Sequence, residues 1–163
     1  MNSVHFKSDR LDWGTPQELF DRLDREFHFT LDVCALPVNA KCRDYFSPRE
    51  DGLSQKWRGV CYMNPPYGKE IEKWMQKALN ESQRGVTVVC LVPARTDTEW
   101  WHKYALQGEI RFIRGRVKFQ GATATAPFPS AIVIFRDQWW KRRWQGISIV
   151  KLPRDQPNDG GNE

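Results

Sequence analysis

Residues 60–67 read Val60-Cys61-Tyr62-Met63-Asn64-Pro65-Pro66-Tyr67. A short apolar strand runs directly into a turn stiffened by two prolines, each with φ fixed by its ring. Behind the turn, Ile71, Trp74, Met75, Ala78 and Leu79 recur at helical spacing and mark one apolar helix face. Gly85 stops that helix, and residues 86–92 form a nearly continuous apolar run, as expected of a central strand covered on both faces. Strand, helix and buried strand in this order predict a mainly parallel α/β sheet.

Upstream, Thr15-Pro16-Gln17-Glu18 reads as a helix start, with Thr15 at the N-cap, Pro16 in the first helical position and Glu18 closing a capping box. Leu19, Phe20, Leu23 and Phe27 follow as one stripe. Residues 29–35 are a buried strand candidate, and residues 36–59 read as mostly loop with a short strand around Tyr45 and Phe46. Downstream, Thr96-Asp97-Thr98-Glu99 forms a second capping box ahead of a short helix carrying Trp100, Tyr104 and Ala105. Residues 110–119 and 131–135 finish as two strands, paired at one edge. The expected architecture is a three-layer α/β domain whose antiparallel C-terminal strand lies at the sheet edge. One domain spans residues 1–152, and residues 153–163 have the composition of a disordered tail.

A chain of 163 residues has the size of one domain and can bury one core without staples. Its longest apolar run, residues 86–94, is far shorter than the roughly 18–20 residues that span a bilayer. No basic-then-apolar leader opens the sequence, so the expected location is cytoplasmic. Cys34, Cys42, Cys61 and Cys90 show no metal-ligand spacing with the histidines and read as free thiols, with no metal expected. The net charge of +5 and eight tryptophans suggest a nucleic-acid partner, against the plainer reading of core rings and a solvated basic face.

The turn at 64–67 carries the chemistry. An exocyclic amine on a base, or an amide nitrogen, is a poor nucleophile because its lone pair is delocalised. The Asn64 side-chain carbonyl and the Pro65 backbone carbonyl can each accept one N–H of such an amine. That arrangement favours a pyramidal nitrogen with its lone pair directed at an electrophile. Pro65 and Pro66 hold the acceptors in place beforehand, and Tyr67 offers a face for a ring flipped out of a duplex.

Several pieces in order resemble one family. They are Trp13-Gly14-Thr15-Pro16, Leu31-Asp32-Val33-Cys34-Ala35, Asn39-Ala40-Lys41-Cys42 and Asp51-Gly52-Leu53 with Trp57. Asn64 to Tyr67 follow, then Leu91-Val92-Pro93-Ala94 with Thr96-Asp97-Thr98, and Gly115-Arg116 with Phe119. Together they are similar to the small DNA N6-adenine methyltransferases of phages and prophages, the Dam family, across roughly residues 12–136. The resemblance implies a Rossmann-like methyltransferase fold and S-adenosylmethionine as cofactor. It implies catalysis by Asn64, Pro65, Pro66 and Tyr67, and cofactor binding by Trp13, Thr15, Pro16, Asp32, Cys34, Ala35 and Asp51. The Gly-rich turn of larger methyltransferases is replaced by Ala35-Leu36-Pro37-Val38. A cofactor without phosphates does not require that loop.

Double-stranded DNA would meet Arg95, Arg116, Lys118, Lys141, Arg142 and Arg143. Residues 136–151 hold Arg136, Lys141, Arg142, Arg143 and Lys151 against Asp137, with Trp139, Trp140 and Trp144 interleaved. Phosphate contacts of this kind position a duplex without reading it. Sequence reading would fall to loops at 95–103 and 115–130. The oligomeric state stays open between monomer and weak dimer. Three alternatives remain at this point. One is N4-cytosine methylation, which Asn rather than Ser at position 64 disfavours. The second is methylation of an RNA guanine amine or a protein glutamine, and the third is a non-catalytic DNA-binding module.

Overall fold

The computed structural model describes residues 14–136 and 147–151. Helix α1 (Gln17–Phe27) precedes strands β1 (Leu31–Asp32) and β2 (Val60–Met63), and α2 (Ile71–Ser82) leads into β3 (Thr87–Pro93). The short helix α3 (Glu99–Lys103) and a 3-10 turn (Ala105–Gln107) are followed by β4 (Glu109–Arg114), β5 (Ser130–Phe135) and β6 (Ile147–Lys151). These strands form one sheet in the order β1-β2-β3-β5-β4-β6.

β1, β2 and β3 run parallel, with Cys61 opposite Val88 and Met63 opposite Cys90. β5 is antiparallel to both of its neighbours, β3 and β4, while β6 joins β4 in parallel. The antiparallel strand therefore lies inside the sheet and not at the edge, where the sequence had suggested it. A continuous apolar run such as 131–135 marks a strand buried on both faces and gives no clue to its direction. All six β5 residues are buried, as an interior position demands.

Alternation along the strands divides the core in two. Val88, Cys90 and Val92 pack with Ile71, Trp74, Met75, Ala78 and Leu79 of α2 and with Trp100 and Trp101 of α3. Val89, Leu91, Ile132 and Ile134 pack on the other side with Leu19, Phe20, Leu23 and Phe27 of α1. Each apolar side chain removed from water in this way is worth about 1.5–3 kcal/mol. α1 is further tied to the sheet by Arg111 of β4, whose guanidinium holds Glu26 in two hydrogen bonds of 2.6 and 2.7 Å.

Two helix starts differ from the sequence reading. Pro16 occupies the N-cap of α1 and no side chain caps that end. Thr15 is buried, with its hydroxyl on the Tyr62 phenol at 2.5 Å. α3 begins after Thr98, whose hydroxyl donates to the Arg95 carbonyl at 2.7 Å. For α1 the Thr15 oxygen found a tertiary partner. α3 starts two residues later than a box from Thr96 to Glu99 requires, with Glu99 its first residue, so neither capping box forms. The strand expected at 29–35 is reduced to Leu31–Asp32 because the chain bends after Asp32. Tyr45 completes a short bridge beside Asp32, as the sequence suggested for that segment.

Candidate active site

The carboxyl ends of β1, β2 and β3 open into one cavity of about 820 Å³. Parallel strands all point their C-terminal ends at one side of the sheet, so loops leaving them converge there. Asn64, Pro65, Pro66 and Tyr67 line it directly beyond β2. Tyr67 anchors this turn. Its hydroxyl lies 3.0 Å from Asn64 Oδ1 and 3.3 Å from the Leu91 carbonyl of β3. Its ring meets Phe119 and Phe128 edge-to-face, with centroids 6.0 and 5.6 Å away. Burial pushes the phenol pKa up, so the hydroxyl keeps its proton and remains a donor.

Asp32 occupies the opposite wall. It is buried, and its two carboxylate oxygens accept the backbone N–H groups of Cys34 at 3.3 Å and Lys41 at 3.0 Å. Those donors favour the charged form, but burial outweighs them and pushes the pKa up to about 6. Lys41 itself reaches Gln17 Oε1 at 2.8 Å and Gln120 Oε1 at 3.2 Å, and burial lowers its pKa. A buried acid and a half-buried ammonium thus share one wall of the cavity. Cys34 is held neutral by burial next to the Asp32 charge.

Two glycines set the shape of this wall. A Cβ at Gly14 would meet Gln120 Oε1 at 2.6 Å, and one at Gly52 would meet the Val33 carbonyl at 2.1 Å and the Trp74 ring at 3.1 Å. Gly52 is drawn inward because its carbonyl accepts the Trp57 indole N–H at 2.7 Å. Trp57 in turn stacks on Trp74, with ring centroids 6.3 Å apart. The neighbouring Asp51 has a φ of 53°, a left-handed conformation that Asp tolerates better than most residues, and its exposed side chain lies at the cavity. No glycine-rich turn follows β1. The Leu36 N–H instead donates to Asn39 Oδ1 at 2.8 Å, and the Ala40 N–H to the Leu36 carbonyl at 2.9 Å.

The cavity brings together Thr15, Asp32, Cys34, Ala35, Asp51 and Arg95 with the turn at Asn64 to Tyr67. Pro16, Arg116 and Lys118 stand outside its lining, with Arg116 and Lys118 exposed. Arg95 lies over the Phe128 ring at 5.9 Å. Arg136, read from sequence with the basic cluster, pairs with Glu109 at 3.2 Å and Glu26 at 3.8 Å. Trp13, Trp139, Trp140, Trp144, Lys141, Arg142 and Arg143 lie outside the described residues.

Sequence reasoning missed Lys41, Phe119, Phe128 and Trp74 as cavity residues. Lys41 and Phe119 stood in the ordered series of matching pieces, which was the available signal. Trp74 belongs to the core-facing stripe of α2 and also lines the cavity, packing on Trp57.

This geometry can be compared with known proteins. A family profile described as DNA N-6-adenine-methyltransferase (Dam) matches residues 2–162. The chain belongs to this family. A DNA N-6-adenine-methyltransferase of Haemophilus phage HP1 (strain HP1c1) is 33% identical over 99 residues. That match covers 58% of this chain and 57% of the relative, so the chain spans little more than half of the relative's length. As a Dam family member, the protein carries its Asn-Pro-Pro-Tyr turn at the strand end where open α/β sheets hold their ligands.

Proposed function

We propose that the protein transfers a methyl group from S-adenosylmethionine to the N6 amine of adenine in double-stranded DNA. The observation that carries this reading is the Asn64 carbonyl held by the Tyr67 hydroxyl in the wall of a cavity roomy enough for a cofactor and a flipped base. Dam family membership supports adenine over the other amines that the same turn could serve.

The cavity residues fit the cofactor. Asp32, as a buried carboxylate, suits an ammonium, and the Lys41 ammonium suits a carboxylate, so the pair matches the zwitterionic end of an amino acid. Asp51 offers acceptors for ribose hydroxyls. The small volumes of Gly14 and Gly52 leave space that any side chain would fill. Thr15, Cys34 and Ala35 line the same wall. Trp13 and Pro16 remain proposed contributors, Trp13 outside the described residues and Pro16 at the start of α1.

When bound, S-adenosylmethionine supplies a methyl group already activated by its sulfonium. The protein's part is positioning and electrostatics. Asn64 Oδ1 and the Pro65 carbonyl would accept the two N–H groups of the adenine amine and stabilise the positive charge that develops on nitrogen. Pro65 and Pro66 keep these acceptors from reorganising. Tyr67, Phe119 and Phe128 would enclose the base, and Arg95, Arg116, Lys118, Lys141, Arg142 and Arg143 would hold the phosphates.

The proposed architecture is a three-layer Rossmann-like domain over residues 1–152, cytoplasmic and working without metal. Incubation with labelled S-adenosylmethionine and unmethylated duplex DNA, RNA or protein tests the function. The expected product is N6-methyladenine in DNA. Label confined to RNA or protein, or N4-methylcytosine in the DNA, would overturn the reading.

A further inference from the structure

Arg95 is exposed and also lines the cavity, which places it at the rim. Its guanidinium lies 5.9 Å from the centroid of the half-buried Phe128 ring. Among the described residues it makes no ion pair. The backbone beneath both residues is pinned. Pro93 of β3 pairs with Ser130 of β5 at the end of their ladder, and the Ala94 N–H carries the pairing one step further, onto the Pro129 carbonyl at 2.9 Å. The Arg95 N–H donates to the Pro93 carbonyl at 2.9 Å. Its own carbonyl accepts the Thr98 N–H at 3.1 Å and the Thr98 hydroxyl at 2.7 Å. Arg95 and Phe128 thus stand side by side on the extended ends of two central strands, and the cation is held before any ligand arrives.

Phe128 also belongs to the aromatic wall, where its ring meets Tyr67 at 5.6 Å and Phe119 at 6.5 Å. A base received against these rings stays tied through its sugar to a phosphate on each side. Those charged groups cannot follow it into a largely apolar wall, so they come to rest at the rim. A guanidinium placed there gains a phosphate partner when the base enters, which favours the extruded nucleotide over the stacked one. Arg116 and Lys118, exposed and outside the lining, lack this link to an occupied cavity.

We propose that Arg95, seated over the Phe128 ring, stabilises the extruded state of the target nucleotide by taking the phosphate drawn to the rim of the cavity. This goes beyond a uniform grip on the duplex, and it rests on the methyl-transfer reading above.

The test uses two duplexes containing the site at which the unsubstituted protein places N6-methyladenine. One keeps thymine opposite the target adenine. The other has an abasic position there, so that extrusion breaks no base pair. With DNA and S-adenosylmethionine saturating, Arg95→Ala should slow single-turnover methyl transfer about 10- to 100-fold on the paired duplex. On the abasic-opposed duplex the loss should be less than about threefold. Arg116→Ala should weaken DNA binding alike on both. A second measurement needs no turnover: with 2-aminopurine at the target position, saturating unsubstituted protein should raise the fluorescence, and Arg95→Ala should give less than about half of that rise.

An equal loss on both duplexes would mark a contact made in every state, or a merely structural role, and would overturn the proposal. An unchanged rate on the paired duplex would do the same, as would an undiminished fluorescence rise. Failure of the unsubstituted protein to form N6-methyladenine in DNA would overturn the functional reading itself, and that outcome is visible without any variant.

Discussion

The hydroxyls of Thr15 and Tyr62 are hydrogen-bonded at 2.5 Å across 47 residues of sequence. The bond joins the residue ahead of α1 to the middle of β2 and lies at the cavity wall, where both residues are buried. Burial raises the Tyr62 pKa, so the pair is a neutral hydrogen bond between two groups removed from water. Thr15→Val should lower stability by about 1–3 kcal/mol, because the Tyr62 hydroxyl loses its partner while still buried. Urea denaturation measures the loss. Cofactor affinity, read by calorimetry, should fall with it, since the same contact shapes the wall.

Asn64→Ala should reduce methyl transfer by at least about 100-fold with little change in thermal midpoint. Asn64 is only partly buried and sits at the cavity wall, so its loss removes chemistry before it removes packing. The check is N6-methyladenine quantified in digested DNA. Retained activity would show that Asn64 is not the acceptor.

Asp32 has its pKa raised from 3.8 to about 6 by burial. The folded protein therefore binds a proton more tightly than the unfolded chain. Its stabilising contribution, about 3 kcal/mol at most, is fully present below pH about 4 and is lost as pH rises through about 6. Cofactor binding should show the opposite trend. An ammonium ligand needs the ionised carboxylate, so affinity for S-adenosylmethionine should rise as pH passes from 5 to about 7. Thermal midpoints with and without S-adenosylmethionine across that range test both trends, and a ligand-induced gain that does not grow with pH would contradict the assignment.

Gly52→Ala should destabilise the cavity wall by about 1–3 kcal/mol or more and weaken cofactor binding. The added carbon would stand 2.1 Å from the Val33 carbonyl, a backbone atom that can move only with β1. Gly85→Ala is the useful contrast: no atom lies within 4 Å of its Cβ, and its φ of 91° is the remaining source of strain. Denaturation curves and cofactor titration separate the two variants.

Arg116 and Lys118 are exposed beyond the cavity. If they meet DNA phosphates, replacing either by Ala should weaken DNA binding across all sequences. The slope of log affinity against log salt should drop by about 1 for each. Fluorescence anisotropy at several salt concentrations reads this. An unchanged slope would remove that residue from the interface.

How much of this was legible beforehand depended on whether the information was local. The Asn64 to Tyr67 turn could be read because strand, turn and chemistry are contiguous. α1 and α2 could be read because their apolar stripes repeat along the chain. Lys41 could not be placed by its neighbours, since Gln120, a partner of its ammonium, lies 79 residues away. Phe128 entered the site through the ring of Tyr67, a contact no periodicity announces. Thr15 carried a strong local signal for a helix cap, and a buried tyrosine outcompeted it. The position of β5 escaped for a related reason, because strand order across a sheet is set by partners distant in sequence.

The place of β5 also bears on how the chain comes off the ribosome. β3 has its second edge covered by β5 alone, and β5 comprises residues 130–135. Until those residues emerge, β3, buried over Val88–Pro93 in the folded protein, offers unpaired backbone groups, a template for association with other chains. Leu91, the β3 residue within reach of the Tyr67 hydroxyl, sits opposite Ile132 in that late pairing. Nascent or truncated chains ending before residue 130 should therefore be both sticky and inert, and the machinery for methyl transfer would mature in one late step.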